Sequence, residues 1–267
     1  MLTEMPGWVL YIFAGLIGAV LGSFANVCIW RMPRGESVVW PGSHCPSCGH
    51  KLAFWENVPI LSYIFLFGRC RHCRGRISLQ YPIVELLCCA LSLLAWWHFQ
   101  EPLRFFIYLC LFIVPLVIVS GIDLGHMIIP DSISIPGIAI GVLVHVFVEG
   151  RASYLGAAID SAIGIIVGGG SLYLVAIAYE KLKKQEGLGG GDVKLIAMLG
   201  AFFGWRASIL ILLMSSFLGS LVGLALIVAM RKDMKYAIPF GPFLAVAGIF
   251  YLFAGMPMIR WYLGFFH

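Results

Sequence analysis

The sequence predicts an all-α polytopic membrane protein of about eight transmembrane helices, with one small polar loop domain between the first and second. Three observations carry that prediction. Of 267 residues, 61% are hydrophobic and 12% charged, with a mean hydropathy of +0.95; a soluble domain of this length has no means of covering so much apolar surface. The apolar residues come in runs near the roughly 20 that cross a hydrocarbon core about 30 Å thick. The basic residues, finally, collect in alternate connections. The 31 glycines fit helices that approach closely in lipid, where small side chains bring backbones together.

The runs fall at about 8–29, 82–99, 104–122, 132–148, 156–178, 193–205, 207–230 and 238–258. The first reads as a retained helix over 1–30, since no basic residue precedes it and Arg31 and Arg34 follow. Residues 31–80 form the polar loop, and 81–267 the remaining membrane core. The sixth run is short, so it either crosses by borrowing Trp205 and its neighbours or re-enters. Charge favours crossing. If every run crosses, one side collects Arg31, Arg34, Lys51, Arg69, Arg71, Arg74, Arg76, Lys181, Lys183, Lys184, Lys194, Arg231, Lys232 and Lys235, which is 14 of 18 basic residues. Positive charge marks the cytoplasmic face, which puts the amino terminus outside and the 31–80 loop inside. The expected partner of such a surface is the lipid bilayer, not nucleic acid.

Within the loop, "CPSCGHKLAFWENVPILSYIFLFGRCRHC" carries Cys45/Cys48 and Cys70/Cys73, two C-x-x-C pairs with 21 residues between them. Two such turns supply the tetrahedral sulfur set of structural zinc. Two disulfides are the competing reading, disfavoured by the reducing compartment to which the charge pattern assigns the loop. Gly49 and Gly75 match the turns of a zinc knuckle. His44, His50 and His72 are available but not needed, and a set already four-coordinate leaves no open position for chemistry. Cys28, Cys88, Cys89 and Cys110 fall in apolar runs and read as packing residues.

Acidic residues in or beside membrane segments point to function. Asp123 ends the third run in "VIVSGIDLGHMIIPD", and Asp192 opens the sixth in "EGLGGGDVKLIAML". The topology sets both at the cytoplasmic boundary. Two close carboxylates in a poorly solvated site share one proton, so one serves as base toward water and the other as acid toward a carbonyl oxygen. Gly189, Gly190 and Gly191 would let an extended peptide approach the backbone beside Asp192. Singly, each aspartate has a plainer reading: Asp192 as a helix N-cap, Asp123 as a snorkelling residue at a helix end. Asp131 reads as a cap. Glu85, about one turn into the second run, is a candidate contact for a basic group of a substrate or for a nearby arginine.

Taken in order, "GSFANVCIWRMPRGES" at 22–37, the paired C-x-x-C loop, "GRCRHCRGRISLQYPIVEL" at 68–86, the aspartate of "IDLGHMIIPD", G-x-G-D at Gly189–Asp192 and "IPFGPFLAVAG" at 238–248 resemble the bacterial type IV prepilin peptidases, GxGD aspartyl proteases also called leader peptidase/N-methyltransferases. The resemblance implies a bifunctional inner-membrane enzyme. Its substrates would be type IV prepilins or type II secretion pseudopilins, cleaved after a glycine and then methylated on the new amino group with S-adenosylmethionine. It further implies that Asp123 and Asp192 are catalytic and that Cys45, Cys48, Cys70 and Cys73 are zinc-type cysteines. Gly68 matches a glycine associated with methylation, and Arg69 stands where relatives often have lysine. Gly125 departs from the family's acidic residue two positions after the first aspartate. No strand–G-x-G-x-x-G–helix unit is visible for a methyl donor; "VGGGS" at 167–171, with Gly164 and Gly168, reads as a helix-packing surface. Rival readings are a protease without methyl transfer, an ion-coupled transporter using the two aspartates, and a structural assembly factor.

Overall fold

A computed structural model describes residues 6–149, 153–183, 189–230 and 238–264. Arg151, Lys184, Arg231, Lys232 and Lys235, which enter the topology reading, lie outside the described residues. Among those described, regular structure is helical, and the β pairing consists of two isolated bridges, His44 with Lys51 and Arg69 with Arg76. Seven helices are long and apolar enough to cross a membrane: α1 (Gly7–Arg34), α3 (Gln80–Phe99), α4 (Pro102–His126), α5 (Asp131–Glu149), α6 (Tyr154–Leu182), α8 (Trp205–Ala229) and α9 (Gly241–Tyr262). A short helix α2 (Leu61–Phe65) lies in the loop, and α7 (Gly190–Phe203) is the sixth apolar run. With 14 residues, α7 is about 21 Å long, less than the hydrocarbon thickness. The prediction of about eight spanning helices therefore resolves into seven long ones and this short one.

The chain divides into two compact units, residues 1–118 and 119–267. In the first, α1 and α3 meet through glycines: a Cβ added to Gly18 would stand 2.5 Å from Ser92 Cβ, and one on Gly22 would stand 2.7 Å from Glu85 Cα. The Ser92 hydroxyl donates to Ala14 O at 2.7 Å across the same seam. Trp8, Phe13, Leu16 and Val20 on α1 stay exposed, as residues facing acyl chains should.

The second unit is built around α7, whose residues Leu195 to Phe202 are all buried. Gly164 of α6 and Gly200 of α7 oppose each other so closely that a side chain on either would overlap the other's carbonyl. Ser208 Oγ donates to Gly164 O at 2.9 Å, and Ser161 Oγ to Ala201 O at 2.8 Å. Hydrophobic burial gives no advantage between helices already in lipid, so close backbone packing and buried hydroxyls hold α7 in place. Gly168 and Gly169 continue the same surface against Ile196 and Ala197, which bears out the packing reading of "VGGGS".

Candidate active site

Asp123 lies in the last turn of α4, 4% exposed. Its Oδ2 accepts a 2.9 Å hydrogen bond from the backbone N–H of Gly241, the first residue of α9. That N–H belongs to the first turn of a helix, where unpaired donors and the positive end of the macrodipole favour an anion. The approach depends on glycine. A Cβ on Gly241 would stand 2.7 Å from Asp123 Oδ2 and 3.2 Å from Ile129 Cδ1.

Asp192 approaches from α7. Gly189 is the N-cap and Asp192 the third helical residue, with its N–H bonded to Gly189 O at 3.1 Å. The Asp192 carboxylate lies beside that cap: a Cβ on Gly189 would stand 3.3 Å from Oδ2. The N-cap reading of Asp192 is thus corrected: the cap is Gly189. Among the glycines, Gly191 packs so that a Cβ would stand 2.8 Å from Ile129 Cβ, whereas Gly190 is exposed with open space around it. Gly189 has φ −69° and ψ 134°, angles open to any residue. The glycine run does not serve backbone strain.

Ile129 is the common neighbour. It touches Gly191 beside one aspartate and Gly241 beside the other, and the Asp123 carboxylate acts electrostatically on Asp192. Two carboxylates separated by 69 positions in sequence therefore share one cluster. Asp131, read as a cap, instead pairs with Lys194: Nζ lies 2.6 Å from Oδ1 and 2.7 Å from Oδ2. This exposed pair ties the start of α5 to the second turn of α7 and is worth no more than about 1 kcal/mol. Gly241 and Ile129 are the residues that sequence reasoning missed. The only signal was "FGPF", a glycine–proline opening of an apolar run.

The remaining candidates belong to the first unit. Cys45, Cys48, Cys70 and Cys73 converge, with all four sulfur atoms within 4.8 Å of one another and Cys45 Sγ 3.9 Å from Cys73 Sγ. A tetrahedral site with Zn–S near 2.3 Å calls for sulfur separations of about 3.8 Å. The four thiols fit such an ion, and none is in a disulfide. Burial pushes the Cys45 thiol up. Hydrogen bonds from the Cys48 and Ser47 backbone and from the Cys48 and Cys70 thiols outweigh that and bring it down to about 7. Cys48, lowered by the His50 backbone but raised by burial and by the neighbouring thiols, is pushed up to about 11, so Cys45 is the first of that pair to ionise. Each knuckle closes by a backbone bond to its first cysteine, Gly49 N to Cys45 O at 2.9 Å and Arg74 N to Cys70 O at 3.0 Å. The left-handed residue of the second turn is Arg74 (φ 59°), matching Gly49 (φ 70°) in the first. Gly75 follows that residue, and its carbonyl accepts from the Cys70 N–H at 2.8 Å. His50 stacks on His72 with centroids 5.0 Å apart and meets Glu56 at 3.6 Å, and His44 Nδ1 meets Gly42 O.

Gly68 is buried at φ 64°, and a Cβ there would stand 2.7 Å from Tyr63 Oη. Arg69 is exposed, with its N–H bonded to Leu66 O at 3.1 Å. Glu85 is 7% exposed and accepts from Ile60 N at 2.7 Å and from the Ser23 hydroxyl. With Tyr63 it lines a cavity of about 270 Å³ under the cysteine loop.

Comparison with known proteins matches the bacterial peptidase A24 N-terminal domain over residues 16–99 and the type IV leader peptidase family over residues 110–224. The chain is similar to a prepilin leader peptidase/N-methyltransferase of Pseudomonas putida, 36% identical over 88% of this chain and 87% of the relative. It is 37% identical to the protein so named in Burkholderia pseudomallei (strain 1026b), over 92% of this chain and 85% of the relative. Identity to that of Aeromonas salmonicida (strain A449) is 35%, over 96% of this chain and 94% of the relative. No solved structure matches. With both halves matched in order and its cysteines and aspartates each gathered into one cluster, the chain belongs to the type IV leader peptidase family.

Proposed function

We propose that this chain is a membrane aspartyl peptidase that removes the basic leader of type IV prepilins or type II secretion pseudopilins, then methylates the new amino terminus with S-adenosylmethionine. One observation carries the peptidase half: Asp123 and Asp192, distant in sequence, come to the two sides of Ile129, which packs against Gly191 next to Asp192 and against Gly241, the donor to Asp123. In that dyad one carboxylate is ionised and takes a proton from water as its oxygen attacks the scissile carbonyl carbon. The protonated partner gives its proton to the carbonyl oxygen. Collapse of the tetrahedral diol breaks the C–N bond, and the leaving nitrogen takes a proton from the dyad. Gly189 and Gly190 leave the flank of Asp192 open for an extended peptide.

Positive-inside charge supports a cytoplasmic boundary for this site in the bacterial inner membrane, with the amino terminus periplasmic. A basic leader held in the cytoplasm then brings its cleavage point to the level of the aspartates. The four cysteines would hold structural zinc, whose closed sulfur set ties the 31–80 loop together. The methyl-transfer half rests on family membership and on the names of the relatives.

The test is cleavage of a prepilin in detergent or nanodiscs. Asp123→Asn and Asp192→Asn are each expected to reduce turnover by about 10³-fold or more, with zinc content and melting temperature retained. Near-normal turnover in either variant removes that residue from the dyad. Mass spectrometry of the product separates the rivals: an unmethylated amino terminus in the presence of donor leaves a protease alone, and ion flux without cleavage supports a transporter.

A further inference from the structure

Two buried ionisable side chains line the cavity of about 270 Å³ in the first unit, and neither meets an opposite charge among the described residues. Arg31, at the end of α1, is 6% exposed, and its guanidinium donates only to the carbonyls of Ser37 (3.0 Å) and Gly42 (3.3 Å). Glu85, in the first turns of α3, is 7% exposed and accepts only from neutral groups, the Ile60 N–H and the Ser23 hydroxyl. Neither has an ion-pair partner among the described residues, and they do not pair with each other. A buried, unpaired charge is so costly that it persists where a ligand supplies its counterpart.

The same lining carries Arg71 and Arg76, both exposed, and Glu56, which meets His50 at 3.6 Å. The two buried side chains left without an opposite charge, one basic and one acidic, suit a ligand carrying both signs. We propose that this cavity is the methyl-donor site, with Arg31 binding the α-carboxylate of S-adenosylmethionine and Glu85 facing its sulfonium. The assignment rests on the methyl-transfer reading above and adds to it where the donor binds and which residues recognise it. Arg31 and Glu85 do not pair with each other, so the ligand's two charges would bind at separate points of the cavity. That suits the sulfonium better than the α-ammonium, which adjoins the carboxylate. Tyr63 and Tyr81 line the same space and offer ring faces for the adenine. Asn26 fixes the Tyr81 backbone by donating to its carbonyl at 3.0 Å.

Gly68 acts through this wall. At φ 64° it is a strained position for any side chain, and its missing Cβ is the space that the Tyr63 hydroxyl occupies. In the reaction the free amine of the cleaved pilin attacks the sulfonium methyl carbon. A C–N bond forms, and the S–CH₃ bond breaks with its electron pair left on sulfur. The product is the neutral thioether S-adenosylhomocysteine, and the methylated ammonium gives up a proton to water. A buried carboxylate beside the sulfonium favours donor over product.

The experiment is a binding titration of S-adenosylmethionine and S-adenosylhomocysteine to the purified full chain and its variants, with zinc content as the folding control. Arg31→Gln is expected to weaken both ligands about tenfold or more, since both carry the carboxylate. Glu85→Gln should weaken S-adenosylmethionine about tenfold and S-adenosylhomocysteine less than about threefold. The ratio of the two affinities is unaffected by a smaller folded fraction, so it decides the matter even if a variant folds poorly. Equal losses for the two ligands in Glu85→Gln, or wild-type affinity in both variants, overturns the site. If the unaltered protein binds neither ligand, the methyl-transfer reading itself fails.

Discussion

Gly241 and Gly190 carry no functional side-chain atoms, yet they separate two roles for glycine around the aspartates. Gly241 is where α9 donates its first N–H to Asp123, and a methyl group would intrude at 2.7 Å from that carboxylate oxygen. Asp123 is buried and fixed by the packing of α4, so it has little room to yield. Gly241→Ala is therefore expected to lower prepilin cleavage about 10²-fold through misplacement of the carboxylate, with zinc content unchanged. Wild-type turnover in that variant would show that Asp123 need not hold its observed position. Gly190 is the converse case, since a Cβ there meets nothing within 4 Å. Gly190→Ala should leave the melting temperature equal or slightly higher, because alanine is the better helix residue by about 1 kcal/mol. Any loss of cleavage in that variant then reports contact with the substrate. Full activity would remove Gly190 from the peptide path and leave Gly189 alone there.

At the scale of elements, much was legible because membrane helices and cysteine knuckles have local signatures. Run lengths gave the long helices, and two C-x-x-C spacings gave the sulfur cluster. Topology placed Asp123 and Asp192 at one depth, which made a pair possible without showing that they meet. What stayed hidden depends on contacts far apart in sequence. The Gly241–Asp123 bond spans 118 positions, the Asp131–Lys194 pair spans 63, and no composition rule announces either. Arg74 in the left-handed turn went unread because positive φ at a residue other than glycine has no sequence signal. The cavity under the loop was hidden for the same reason: Arg31 and Glu85 acquire meaning only once their absent partners can be seen. Two predictions belong at this scale. Paired Cys45→Ser and Cys48→Ser changes should take zinc from roughly one per chain to near none, measured by atomic absorption; full occupancy would refute the ligand set. Gly164→Ala should lower stability by about 1–3 kcal/mol or more, because the neighbours of its Cβ are backbone atoms of Gly200 and Gly204 that have no rotamer to give. Gly170→Ala, whose nearest neighbour is Ile166 Cγ2 at 4.0 Å, serves as the tolerated control. Equal melting of the two variants would show that the α6–α7 crossing opens freely.

For the whole molecule, the decisive question is which way the chain runs after α7. A helix of 14 residues falls about 9 Å short of a 30 Å hydrocarbon core, so length alone argues for re-entry. Three features argue for crossing. Leu195 to Phe202 are buried by protein and not by lipid, so α7 itself need not match the acyl thickness. The turn that follows is a single residue, Gly204 at φ 80°, before Trp205 begins α8. Arg206 is the one basic residue there, whereas Arg231, Lys232 and Lys235 cluster after α8, and such clusters stay cytoplasmic. Crossing keeps those three on the same side as Lys181 and Lys194. A reporter inserted after residue 232 is therefore expected to read cytoplasmic, and one inserted at Gly204 periplasmic. A periplasmic signal at 232 would make α7 re-entrant and reverse α8 and α9. The aspartates would still face the cytoplasm, but the charge rule would have failed in the second unit, leaving protein packing as what orients it.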